Sequence, residues 1–139
     1  MQEHYARFSE RFGYPARPPE GRILAVGRIL IDAAKHAEAH DVAAAYRQDY
    51  PAAAEQLMNR SGFDLLRRGQ IQQAIETFRK NARWFPDSPN TYDSLADGLC
   101  RAGDADGARQ SMRDAVNAAQ KRSHPQLSRY RARVAKPCD

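Results

Sequence analysis

Four histidines, two cysteines and a scatter of acids are the side chains of this sequence that could do chemistry. His36 and His40 stand four apart, a spacing that puts two imidazoles on one helix face. A zinc-protease motif would need glutamate directly after the first histidine; Ala37 stands there and Glu38 follows. The pair therefore reads as basic side chains near a helix end rather than as metal ligands. Cys100 and Cys138 form no metal-type cluster. Cys100 reads as a small apolar residue on a helix face, Cys138 as part of a mobile tail, and nothing in their placement argues for a disulfide. Asp104 and Asp106 lie beside Gly103 and Gly107, which is turn chemistry before it is catalysis. There is no GxSxG elbow, Walker loop or dinucleotide fingerprint, and no nucleophile set beside a base. The sequence thus leads us to expect no catalytic residue, metal or cofactor.

What would position these side chains is a duplication. Residues 55–88 read EQLMNRSGFDLLRRGQIQQAIETFRKNARWFPDS, and residues 89–122 read PNTYDSLADGLCRAGDADGARQSMRDAVNAAQKR. Leu65 falls over Leu99, Gly69 over Gly103, Ala74 over Ala108 and Phe78 over Met112, each 34 residues on. Within each copy two helical stripes flank a glycine. Met58, Gly62, Leu65 and Leu66 precede Gly69; Ile71, Ala74, Ile75, Phe78 and Ala82 follow it. Glycine there ends the first helix without a Cβ clash, and Pro86 stops the second. Small residues at Gly62, Ala74, Ala96, Ala108 and Ala115 let paired helices approach closely.

This pattern resembles the tetratricopeptide repeat, a helix–turn–helix unit that stacks on copies of itself. Met58 and Tyr92 replace the family's usual tryptophan, and Ser61 and Asn81 stand where apolar residues are normal. Residues 20–54 read as an irregular first repeat, shifted by 35: Gly27 meets Gly62, Leu30 meets Leu65 and Ala39 meets Ala74, with AKHAEAHD in place of the turn glycine. The expected organisation is therefore a short helix over residues 1–12 with Tyr5, Phe8 and Phe12 on one side. A proline-rich connector to residue 19 comes next, then repeats at about 20–54, 55–88 and 89–122, and a capping helix in 123–139. Ser123 is placed to cap that last helix, with Leu127, Tyr130 and Val134 inward and Arg129, Arg131 and Arg133 outward. The fold class is all-α, a tetratricopeptide-like stack.

Composition agrees. Charged residues at 28% and hydrophobic at 42% are ordinary for a globular domain, and the sparse β-branched residues favour helix. A net charge of +5 is mildly basic, and scattered arginines read as a solvated face before a nucleic-acid site. No apolar run suggests a signal peptide or a membrane span, so the expected location is cytoplasmic unless the chain belongs to an exported protein.

A second resemblance is more specific. HYARFSERFGYPARPPE (residues 4–20), FDLLRRGQIQQAIETFRKNARWFPDSPNTYDSLADG (63–98) and HPQLSRYRARV (124–134) are similar to the C-terminal region of bacterial α/β-hydrolase esterases that act on siderophores and carboxylic esters. That resemblance implies an accessory tail packing on, or assembling with, a hydrolase domain. It carries over no triad or oxyanion-hole residue, because the segments that hold them have no counterpart here.

Register places a groove on the first helix of each repeat. Asn59, Arg60, Phe63 and Arg67 line it from one repeat, and Asn90, Asp93, Asp97 and Arg101 from the next. Asn59, Arg60 and Arg67 could hold an anion, while Asp93 and Asp97 would repel one. The expectation is a non-catalytic module for protein–protein or interdomain contact, its partner another protein or an adjacent hydrolase domain. The rivals are an anion- or nucleic-acid-binding protein using Arg67, Arg68, Arg129, Arg131 and Arg133, and a homodimer built on an uncapped repeat face.

Overall fold

A computed structural model describes residues 17–139; the expected N-terminal helix and its three aromatics lie outside the described residues. Seven helices and no strand occur among them: α1 Glu20–Asp32, α2 His36–Tyr46, α3 Pro51–Arg67, α4 Ile71–Trp84, α5 Pro89–Arg101, α6 Ala105–Lys121 and α7 Leu127–Ala135. The all-α class is as the sequence reads. The described residues divide into two compact units, with the boundary between Leu57 and Met58, inside α3.

Helix ends explain the repeat. After α3, Gly69 takes φ +80°, its N–H donates to the Leu66 carbonyl at 3.0 Å, and the Gln70 N–H reaches back to Leu65 at 2.9 Å. Gly103 does the same after α5, with φ +80° and bonds to Cys100 and Leu99. This paired closure satisfies the last carbonyls of each helix and needs a left-handed residue at its centre. The turn between α1 and α2 closes in the same way without glycine. Ala34 sits at φ +61°, its N–H bonds Ile31, and the Lys35 N–H bonds Leu30 at 2.8 Å. The lack of a turn glycine was therefore misleading: alanine bears the strain, 35 residues before Gly69.

Ser123 departs from its expected role as a cap for the last helix. It sits at φ 50° and closes α6, where the His124 N–H bonds the Ala119 carbonyl at 2.9 Å. The residue before α7 is Gln126, whose own side chain makes no capping bond, while its N–H donates to His124 Nδ1 at 3.1 Å. Asp104 does cap α6, accepting from the Gly107 N–H at 2.8 Å, and Pro89 opens α5, where its missing N–H costs nothing.

In the first unit α1 and α2 pair through Ile23, Ile31, Ala39, Ala43 and Tyr46, all buried. Gly27 lies flush against Leu57, and the Tyr50 hydroxyl donates to the Pro18 carbonyl at 2.9 Å. In the second unit Phe78 of α4 is fully buried. A β-carbon on Gly62 of α3 would run into its ring, and one on Gly98 of α5 would stand 3.1 Å from it. Leu65, Leu66 and Ala74 complete this cluster. A second cluster joins Ile75, Ala96, Leu99, Ala108, Met112, Ala115 and Ala119 to Tyr130 of α7. With Leu127 and Val134 packed beside Tyr130, α7 covers the apolar face that α6 would otherwise leave open. Ser61 and Asn81, the two polar departures, are both fully buried.

Three substitutions test this. Ala34→Gly should stabilise the protein by about 1 kcal/mol, because it relieves the left-handed penalty on a Cβ-bearing residue. Gly69→Ala should destabilise it by about the same amount. Gly62→Ala should cost about 1–3 kcal/mol by overpacking against Phe78. Urea unfolding monitored by circular dichroism measures all three.

Candidate binding site

The duplicated register sets the same three positions of α3 and α5 around one cavity. Phe63, Leu66 and Arg67 line it from α3, and Asp97, Cys100 and Arg101 from α5, each residue 34 positions from its counterpart. Spacings of three and four residues hold each trio on one helix face. Cys138 closes the ring from the C-terminal segment, and the cavity volume is about 570 Å³. Its floor is apolar. Phe63 packs edge-on against Phe78 with ring centroids 5.0 Å apart, yet keeps 38% of its surface exposed.

The charges around the cavity differ in how far they are compensated. Arg67 is held by Asp64, a side chain only 3% exposed that also takes Arg68 at 2.7 Å. Asp97 is held by Arg133. Arg101 is exposed and forms no ion pair among the described residues. The uncompensated charge at the cavity is therefore positive.

Asp93 and Asp97 correct the outward placement of the C-terminal arginines. Arg129 and Arg133 turn inward onto α5. Arg129 reaches Asp93 at 2.7 Å, and Arg133 binds the Asp93 carboxylate, the Asp93 carbonyl at 3.2 Å and Asp97 together. Asp93 is buried and does not line the cavity at all. Burial pushes the Asp97 carboxyl above the usual carboxylate range, with Arg133 pulling the other way and Asp93 adding to the rise. Burial alone would lower Arg133, but Asp97 and Asp93 together hold it above its ordinary value. Arg129 is raised chiefly by its hydrogen bond to Asp93.

The cysteines are also corrected. Cys100 and Cys138 form a disulfide with Cα atoms 5.4 Å apart, so the tail is tethered to α5 rather than mobile. Arg133 Nε donates to the Pro137 carbonyl at 3.0 Å, and Pro137 is buried.

Of the eight expected groove residues, the cavity gathers Phe63, Arg67, Asp97 and Arg101. Asn59 instead accepts from the Ser94 hydroxyl, while Arg60 and Asn90 are exposed elsewhere on α3 and α5. Leu66 and Cys100 were missed, although the three-residue step from Phe63 and the 34-residue shift point to both. Cys138 carried no sequence signal. Of the basic run at 129–133, Arg129 and Arg133 pair with Asp93 and Asp97, and Arg131 is exposed. No group of three or more His, Cys, Asp or Glu that could hold a metal occurs among the described residues, and no helix there is long and apolar enough to cross a membrane.

No family model matches the chain, and no curated protein matches it. Among solved structures it is similar to a chain in the crystal structure of a T3SS complex from Aeromonas hydrophila. The TM-score is 0.57 at 21% identity, over 86% of this chain and 77% of that one. At this identity the likeness is one of fold.

Arg133→Ala should destabilise the protein by about 2 kcal/mol, since it removes charge-assisted bonds to Asp93 and Asp97 and leaves the buried Asp93 carboxylate to Arg129 alone. Arg129→Ala, whose side chain is 56% exposed, should cost under about 1 kcal/mol in the same denaturant titration. Arg133→Ala should also raise the Asp97 pKa further, read by carboxyl-carbon NMR. Because the folded value lies above the unfolded one, the Asp97 contribution favours folding at low pH and is lost as pH rises through the folded value. Asp97→Asn should remove that part of the pH dependence.

Proposed function

We propose that this chain is a non-catalytic helical-repeat module that binds a segment of another protein, or of an adjacent domain, in the α3–α5 cavity. The observation that carries the reading is the pairing of an exposed Phe63 over an apolar floor with the uncompensated Arg101 at the same opening. That combination suits an apolar side chain accompanied by a carboxylate, and the volume falls in the range of sites that enclose a few such groups. Asp97, which would otherwise repel a carboxylate, is neutralised from behind by Arg133. The similar chain comes from a T3SS complex, which supports a protein partner in general terms.

The finer identity we propose for the partner is an α/β-hydrolase domain. It rests on the esterase-tail phrases, of which FPDSPNTYDSLADG spans the α4–α5 junction. There Tyr92 donates to the Pro86 carbonyl and Thr91 to the Ser88 carbonyl, which sets how α5 leaves the turn.

Binding to arrayed acidic–apolar peptides, followed by fluorescence polarisation of the best one, tests the module reading. Arg101→Glu should weaken binding at least about tenfold, the equivalent of ~1.4 kcal/mol, without lowering the melting temperature. Undiminished binding by that variant contradicts the site. Turnover of a p-nitrophenyl ester that is lost on substituting one of this chain's histidines would overturn the non-catalytic reading. A neighbouring or continuous hydrolase reading frame would support the proposed partner, and a stable homodimer by light scattering that buries Phe63 would contradict it.

A further inference from the structure

The cavity wall contains a bond that thiol chemistry can break. Cys100 and Cys138 both line it, and they are joined to each other. Cys138 is exposed while Cys100 is half-buried. We propose that Cys138 is a thiol–disulfide exchange site, and that the state of the Cys100–Cys138 bond sets whether the cavity holds its ligand. This rests on the α3–α5 cavity being the binding site.

The chemistry balances with an external thiol. Its thiolate attacks the accessible Cys138 sulfur, the sulfur–sulfur bond breaks, and Cys100 leaves as a thiolate that takes up a proton. A second external thiolate attacks the mixed disulfide, releasing Cys138 and one molecule of oxidised external disulfide. Two external thiols supply the two electrons. An external disulfide runs the sequence in reverse.

The direction of the effect follows from what the tail holds. Helix α7 does not depend on the bond: Tyr130 is buried in the core, Arg129 and Arg133 grip Asp93, and Arg109 Nε donates to the Val134 carbonyl at 3.2 Å. Beyond α7, Pro137 is buried, and its carbonyl accepts from Arg133 Nε and lies 3.4 Å from Cys100 Sγ. Reduction therefore frees the exposed Cys138 and Asp139 and leaves the helices and Pro137 in place. It removes the Cys138 side chain from the cavity wall. Loss of that wall weakens the hold on an apolar, anionic ligand, so the oxidised form is the binding form.

Anilinonaphthalene sulfonate, an apolar ring system carrying an anion, is the probe. The oxidised protein should bind it at a saturable site, and dithiothreitol should weaken that binding several-fold with unchanged helical circular dichroism. Reoxidation should restore it. Cys138→Ser should bind as weakly as the reduced protein and ignore dithiothreitol; N-ethylmaleimide quenching early in reduction by a monothiol should find Cys100 alkylated while Cys138 still carries the mixed disulfide. Equal dye affinity with and without dithiothreitol, or a Cys138→Ser variant as tight as the oxidised protein, overturns the inference. Should Cys138→Ser fold poorly, the dithiothreitol titration of the native chain decides alone. Dye binding that depends on Arg101 but not on reduction sinks only the redox inference. Oxidised-state binding that ignores Arg101→Glu sinks the cavity reading beneath it.

Discussion

The second unit depends on the ring of Phe78 and the two β-carbons missing beside it. Phe78 projects from α4 against Gly62 of α3 and Gly98 of α5, and it is completely enclosed. Dense interiors do not tolerate an added methyl group without displacement, so the approach of α3 and α5 to α4 is fixed by these three residues together. The cavity inherits that spacing. Phe63 leans on the buried side of the same ring, and its exposed side forms the floor of the opening.

From that packing the site follows by symmetry of register. Two helices that occupy equivalent places in successive repeats present equivalent residues, so one trio on α3 is answered by one trio on α5. Their chemistry is not equivalent, and the difference is informative. Phe63, Leu66 and Arg67 make an apolar wall with a compensated cation; Asp97, Cys100 and Arg101 make a polar one that requires outside support. The C-terminal segment supplies it, with Arg133 for Asp97 and Cys138 for Cys100. What began as a helix that covers an apolar end also finishes the binding face.

Local features were readable from the sequence. The 34-residue shift, Gly69 and Gly103, and the apolar stripes of α3 to α6 are each encoded within a few residues, and all appear in the structure. Hidden features were of two kinds. Ala34 and Ser123 adopt left-handed backbones that their types disfavour, because the helix-ending hydrogen bonds around them outweigh the local preference. The Arg133–Asp93–Asp97 contacts and the Cys100–Cys138 bond join residues 36 to 40 apart in the chain, and no periodicity announces which arginine turns inward. A stripe model sends Arg129 and Arg133 to solvent because arginine usually goes there; two carboxylates on α5, one buried and one half-buried, reverse that choice.

The most direct test of the central claim is residue-resolved mapping of where an acidic–apolar peptide touches the protein. In a titration of isotopically labelled, oxidised protein, backbone amide shifts should concentrate on residues 63–67 and 97–101 and at Cys138, leaving Val26 and Ile29 of α1, the other large apolar side chains exposed among the described residues, unaffected. Shifts centred on Val26 and Ile29, with Phe63 and Arg101 silent, would contradict the account.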